Sequence, residues 1–175
     1  MKILVTGASG FYGRALCRAL LTDGAERVVL YSRSESRQAE CAEELHRANL
    51  IDAARFFLGD VRDQARLEEA MWGCDTVVHA AALKRVDAVA YDPGEVRKTN
   101  IMGSACVTAA AIAARVERVL MISSDKAVAP ENAYGVSKAH MEREAVAMNA
   151  VAVPRGPRIS CARGGNVLGS TGSVV

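Results

Sequence analysis

The sequence predicts an α/β fold, a doubly wound parallel sheet in the strand order 3-2-1-4-5-6. Three observations carry that prediction. Short apolar runs alternate with longer amphipathic stretches along the chain, as strand–helix–strand units with right-handed crossovers require. Several runs are nearly unbroken Val, Ile and Leu, the mark of strands covered on both faces. Gly7, Gly10 and Gly13 stand where the first run meets the first helical stretch.

The elements follow in order. Runs of strand composition fall at 2–6, 27–31, 55–58, 76–79, 118–122 and 158–161. Helical spacing of apolar residues covers 11–21, 36–48, 64–71, 93–114 and 134–149. Pro154, Gly156 and Pro157 mark a loop before the last strand. Beyond Cys161 the chain turns Gly-rich and reads as interrupted rather than finished.

Composition narrows the function. The 175 residues are expected to form one domain, 1–175, burying ~70% of its unfolded surface. Lys and Arg number 22 and Asp and Glu 20, a net charge of +2 too balanced to argue for nucleic acid or a membrane surface. No apolar run approaches the ~20 residues of a bilayer span, and the first residues do not read as a secretion signal. Five dispersed cysteines without a C-x-x-C pair read as reduced thiols in a cytoplasmic protein, with no metal site.

The first motif is a phosphate-binding turn, Gly7, Ser9, Gly10, Phe11 and Gly13, which lets a pyrophosphate approach free N–H groups at a helix start. Its spacing is G-x-x-G-x-x-G, so Ser9 stands where the common dinucleotide fingerprint has its second Gly. At the end of the second strand an NAD site usually offers an acidic residue to the ribose. Here Ser32 and Arg33 stand there, with Arg37 a turn later, which suits a 2′-phosphate and favours NADP over the alternative, NAD. Asp60 and Val61 are placed to meet the adenine. Ala80, Ala81 and Ala82 supply the small side chains that a dinucleotide crossing the sheet edge requires.

The second motif is Tyr134 and Lys138, four apart and therefore on one helix face. A Tyr acts as a base only if its pKa of ~10 is lowered, which a neighbouring ammonium does electrostatically. The pair follows the fifth strand and the run Ser123-Ser124-Asp125-Lys126.

The segments VTGASGFYG, YSRSE, GDVRD, HAAALKRVDAVAYDP, KTNIMGS, SSDKAVAPENAYGVSKAHME and GNVLGSTGSV, in that order, resemble the extended short-chain dehydrogenase/reductase family. Within it the likeness is to inverting UDP-N-acetylglucosamine 4,6-dehydratases of polysaccharide biosynthesis. Asp125-Lys126 discriminates most, because sugar epimerases and dTDP-glucose dehydratases carry other residues there. The resemblance implies a Rossmann-like fold and a nucleotide-sugar substrate. It implies that Tyr134 takes the sugar C4 hydroxyl proton as hydride passes to NADP, with Lys138 lowering its pKa. Lys126 would then remove the C5 proton and Asp125 protonate the departing C6 hydroxyl. Ser124, or Ser123 beside it, and Asn166 would bind the sugar, while Lys84 and Asn100 would line the cofactor and substrate cleft.

Two departures accompany the resemblance. The aromatic residue that usually precedes G-N-V is replaced in the stretch Arg163-Gly164-Gly165-Asn166. Family members are roughly twice as long, at ~100–200 residues per domain, so the C-terminal substrate subdomain is expected to be missing here. Three readings stay open: a dehydratase with weak or no turnover from these residues alone, a non-catalytic NADP-binding fragment, and a nucleotide-sugar epimerase. The Ala-rich stretches 93–114 and 134–149 resemble a dimer-forming pair, which implies a homo-oligomer, although an apolar helix can equally be core.

Overall fold

A computed structural model describes residues 1–84, 91–152 and 156–167. Six parallel strands form one sheet in the order β3-β2-β1-β4-β5-β6. They are β1 Lys2–Thr6, β2 Arg27–Ser32, β3 Ala54–Leu58, β4 Thr76–His79, β5 Arg118–Ser124 and β6 Arg158–Gly164. The order reverses between β1 and β4, which opens a crevice at the carboxyl ends of those strands.

Alternation along β1 splits the core in two. Ile3 and Val5 pack with Cys17, Leu21, Cys41 and Leu45 under α1 (Phe11–Thr22) and α2 (Glu35–Arg47). Leu4 faces the other way and packs with Leu67, Met71, Val107 and Met141. Those residues belong to α3 (Gln64–Met71), α5 (Gly103–Ala113) and α6 (Ala133–Ala152). Apolar side chains on both faces are why the central strands read as unbroken Val, Ile and Leu.

Several elements depart from the expected boundaries, and two departures have a clear cause. The stretch 93–114 is not one α-helix: α4 (Pro93–Val96) passes into a π-helical turn, Arg97–Met102, before α5 begins. Within that turn the Asn100 carbonyl accepts a bond from Ser104 Oγ at 2.6 Å, and the Asn100 side chain bonds to Leu83 rather than to solvent. Gly103 lets α5 approach Val61, whose Cγ2 would lie 2.9 Å from an added Cβ. Helical periodicity shows none of these contacts. β6 in turn runs past Cys161, because β5 continues to Ser124 and pairs Ser123 with Arg163 and Ser124 with Gly164. Pro154 and the segments 85–90 and 168–175, which carry part of two quoted motifs, lie outside the described residues.

Candidate active site

Two adjoining clefts of about 280 and 240 Å³ open on the carboxyl edge of the sheet and share Ala80 and Ala82. The smaller is lined by Gly7, Ser9, Gly10, Ser32, Arg33, Arg37, Val61 and the Ala80–Ala82 stretch. The turn beneath it needs its glycines. Gly7 has φ +69°, and a Cβ there would stand 2.9 Å from Ala81 Cα. A Cβ on Gly13 would run into the Gly7 carbonyl oxygen. Helix α1 has Gly10 at its N-cap, no capping side chain and no acidic residue in its first turn, whereas Ser34 and Asp63 cap α2 and α3. Its free N–H groups and positive dipole end are left facing the cleft, an arrangement suited to a phosphate.

The rim of this cleft is partly engaged. Arg33 Nη1 lies 3.5 Å from Asp60 Oδ2, and Asp60 also binds Arg62 at 2.7 Å. No acidic partner holds the Arg37 guanidinium among the described residues, while Gln38 fixes Ser32 through its hydroxyl and carbonyl. Phe11 is exposed and lies outside both cleft walls.

The larger cleft holds Lys84, Ser123, Ser124, Lys126, Tyr134, Lys138 and Asn166 together. Helix α6 starts where Asn132 Oδ1 accepts the Gly135 N–H at 2.8 Å, and this start aims Tyr134 and Lys138 into the cleft. Lys138 is 3% exposed, and its Nζ donates to the Ile122 carbonyl at 2.6 Å. Burial pushes its pKa down to about 8, with Cys161 and Glu142 opposing. Its Nζ sits 6.0 Å from the Tyr134 ring centre.

Sequence reasoning expected Lys138 to lower the Tyr134 pKa, and in the free protein the phenol is shifted the other way. Burial raises it, a hydrogen bond with Ser124 pulls it down, and the Asp125 charge adds to the rise. Asp125 is also not in the state its expected role requires. Its carboxyl is held below the ordinary range by Ser124 and Lys126, with Lys126 Nζ at 3.2 Å. Lys126 Nζ in turn meets Asn166 Oδ1 at 3.1 Å, which brings Asn166 to the Asp125–Lys126 pair.

Two expected contact residues have their side chains engaged by other groups. Ser123 Oγ donates to Glu142 Oε1 at 2.5 Å, so its hydroxyl is already engaged. Asn100 is buried behind the cleft wall, bonded to both backbone groups of Leu83 and to Ser137 Oγ. Sequence reasoning also missed residues. Glu142 follows Lys138 by one helical turn and binds Arg163 through both its oxygens, an i,i+4 placement that the Tyr–Lys spacing could have extended. Tyr12 lines the larger cleft without a signal in its surroundings. Thr99 lines the smaller one, and its buried hydroxyl has no partner among the described residues.

Gly135 bears on this geometry. A Cβ there would press on the Lys126 carbonyl oxygen. Gly135→Ala is expected to destabilise the fold by ~1–3 kcal/mol, read by urea denaturation, as α6 and the Lys126 turn part.

Among the described residues no cluster of His, Cys, Asp and Glu could hold a metal ion. No helix among them is long and apolar enough to cross a membrane.

The chain is 40% identical over 175 residues to an inverting UDP-N-acetylglucosamine 4,6-dehydratase of Campylobacter jejuni, covering 99% of this chain and 51% of that one. It is 38% identical over 177 residues to a UDP-glucose 4-epimerase of Rickettsia conorii, with the same two coverages, 99% and 51%. The crystal structure of a UDP-glucose 4-epimerase from Stenotrophomonas maltophila, with bound NAD and formylated UDP-arabinopyranose, matches with a TM-score of 0.82 and 27% identity. That match covers 93% of this chain and 52% of the other. The chain thus spans about half the length of the curated relatives it matches. The sequence pattern of one family, described as polysaccharide biosynthesis protein, matches residues 3–175. With a match of that extent, the chain belongs to the polysaccharide biosynthesis protein family.

Proposed function

We propose that these residues are the cofactor-binding and acid–base half of an NADP-dependent nucleotide-sugar 4,6-dehydratase, acting on a UDP-N-acetylglucosamine-like substrate in polysaccharide synthesis. One observation carries the reading: Lys126 and the Tyr134–Lys138 pair line a single cleft that adjoins an uncapped, glycine-bounded helix start, with Asp125 exposed beside it and paired with Lys126 at 3.2 Å. An epimerase uses a Tyr and a hydride acceptor but has no elimination to perform, and so no need of a second acid–base pair.

The smaller cleft fits a dinucleotide. Gly7 and Gly10 leave backbone open to a pyrophosphate, and Thr99 keeps a buried hydroxyl without a partner among the described residues. A nicotinamide bound across the Ala80–Ala82 stretch would take the C4 hydride of the sugar and return it at C6. The residues of the chain do the rest. Tyr134 takes the C4 hydroxyl proton, with the Lys138 ammonium offsetting the charge that burial otherwise disfavours. A C4 ketone acidifies the C5 hydrogen, which Lys126 removes while Asp125 protonates the C6 hydroxyl, so that one water leaves. Of the two protons taken up by Tyr134 and Lys126, one then adds to C5 as the hydride reaches C6, and the other restores Asp125. Those roles need a neutral amine and a protonated acid. In the free protein the Asp125 carboxyl is held ionised by Ser124 and Lys126, with Lys126 Nζ 3.2 Å away. A sugar that displaces water from the cleft favours the neutral pair, since desolvation penalises both charges.

Ser32, Arg33 and Arg37 support NADP over NAD. Arg37→Ala and Arg33→Ala are each expected to weaken NADP+ by ~1.5–3 kcal/mol while leaving NAD+ nearly unchanged, measured by calorimetric titration. The five free cysteines support a reducing, cytoplasmic location, and exposed Val136, Val146 and Ile112 on α6 and α5 support self-association.

Incubating the chain with NADP+ and UDP-N-acetylglucosamine and weighing the products tests the reading. A slowly formed product lighter by one water is expected, slow because only half of the relatives' length is present to position the sugar. A product of unchanged mass would put the epimerase in its place, and cofactor binding without any product would leave a binding fragment.

A further inference from the structure

His79 ends β4 beneath the junction of the two clefts, fully buried, and has no part in the chemistry above. Its hydrogen bonds can be given a direction by counting. Ser104 Oγ gives its hydrogen to the Asn100 carbonyl and so accepts from His79 Nε2. Thr6 Oγ1 accepts the Ala81 N–H at 3.3 Å and a share of the Ala80 N–H at 3.2 Å, which the Thr6 carbonyl also accepts at 3.3 Å. The Thr6 hydroxyl hydrogen must therefore go to His79 Nδ1, 2.7 Å away. His79 is then the Nε2–H tautomer and donates to Ser104 Oγ at 3.0 Å. Ser104 passes its hydrogen to the Asn100 carbonyl in the π-helical turn, at 2.6 Å. Burial, with Lys138 adding to it, pushes the ring pKa down to about 3, so the neutral form that this order needs is the one present.

The ends of this chain of bonds matter. Thr6 holds the amides of Ala80 and Ala81, which line the smaller cleft, and Ala80 with Ala82 is shared by both. The Asn100 side chain clasps the N–H and carbonyl of Leu83, at 2.8 and 2.9 Å, just past the same wall. It also donates to Ser137 Oγ at 3.0 Å, and Ser137 donates to the Tyr134 carbonyl at 2.7 Å.

We infer that His79 is a positioning residue, the centre of a buried one-way relay that sets the Ala80–Ala82 wall between the glycine turn and the helix carrying Tyr134. A π-helical turn at the far end is in keeping, since such turns concentrate at functional sites. For its consequence in binding, the inference rests on the dinucleotide reading. The wall lies where a dinucleotide would cross from one cleft to the other, and the adenosine end at Ser32 and Arg33 does not depend on it.

Thr6→Val and His79→Phe break the relay, and Thr6→Ser keeps the hydroxyl. Each variant is titrated with NADP+ and with adenosine 2′,5′-bisphosphate, and amide exchange is followed at Ala81 and Leu83 without ligand. Breaking the relay is expected to weaken NADP+ about tenfold, to leave adenosine 2′,5′-bisphosphate within about twofold, and to speed exchange at both amides, including Leu83 in His79→Phe. Thr6→Ser should restore all three. Parallel loss of both ligands, or Leu83 exchange unaltered in His79→Phe, would overturn the relay. Should His79→Phe not fold, the near-isosteric Thr6→Val decides by the same readings. A wild type that binds neither ligand would remove the dinucleotide reading, and the exchange measurements would still decide the relay.

Discussion

Tyr134→Phe is expected to form no reduced cofactor when mixed with NADP+ and a UDP-sugar, while Lys126→Ala forms it and then stalls. The phenol lines the cleft one helical turn from Lys138, and without it the C4 hydroxyl keeps its proton. Lys126 acts one step later. Its loss spares oxidation but leaves the C5 hydrogen in place, so reduced cofactor accumulates and water is not lost. Each change should slow its own step by ~10²–10⁴. Absorbance of the reduced nicotinamide under single-turnover conditions separates the two. Equal behaviour of both variants would mean that Asp125–Lys126 is not a separate acid–base pair.

Gly10→Val has the next largest expected effect, on binding rather than chemistry. Among the described residues a Cβ at Gly10 meets only the Gly7 carbonyl oxygen, at 3.1 Å, so the turn can absorb it with a small shift. The rest of the Val side chain stands at the uncapped start of α1, where a pyrophosphate must approach. Dinucleotide affinity should fall by more than about 100-fold, at least 2.7 kcal/mol, with the circular dichroism spectrum nearly unchanged. Normal affinity in this variant would show the turn to be structural only.

Why these residues could be found in the sequence, and others could not, follows from the range of the forces involved. β1 and β4 match their expected bounds to the residue, because a strand covered on both faces must be apolar throughout. The glycine turn was legible because positive φ at Gly7 and contact with Ala81 admit no side chain. Tyr134 and Lys138 were legible as a helical i,i+4 pair. What escaped depends on groups distant in sequence. Asn100 was expected on the cleft, but Leu83 and Ser137, 17 and 37 positions away, capture its side chain. Ser123 was expected to meet the sugar, but Glu142 captures its hydroxyl. The ionisation of Tyr134 and Asp125 depends on burial and on neighbours that spacing alone does not supply. The π-helical turn is set by packing at Gly103 and by the Ser104 bond, neither of which changes the hydrophobic period.

The central claim is that the crevice between β1 and β4 holds a nicotinamide dinucleotide bearing a 2′-phosphate. Calorimetric titration of the purified chain with NADP+ and, separately, NAD+ tests it most directly. One site per chain is expected, with NADP+ about tenfold or more tighter, as a charge-assisted phosphate contact provides. Equal affinities would contradict the 2′-phosphate site at Ser32, Arg33 and Arg37, and no binding of either nucleotide would contradict the claim itself.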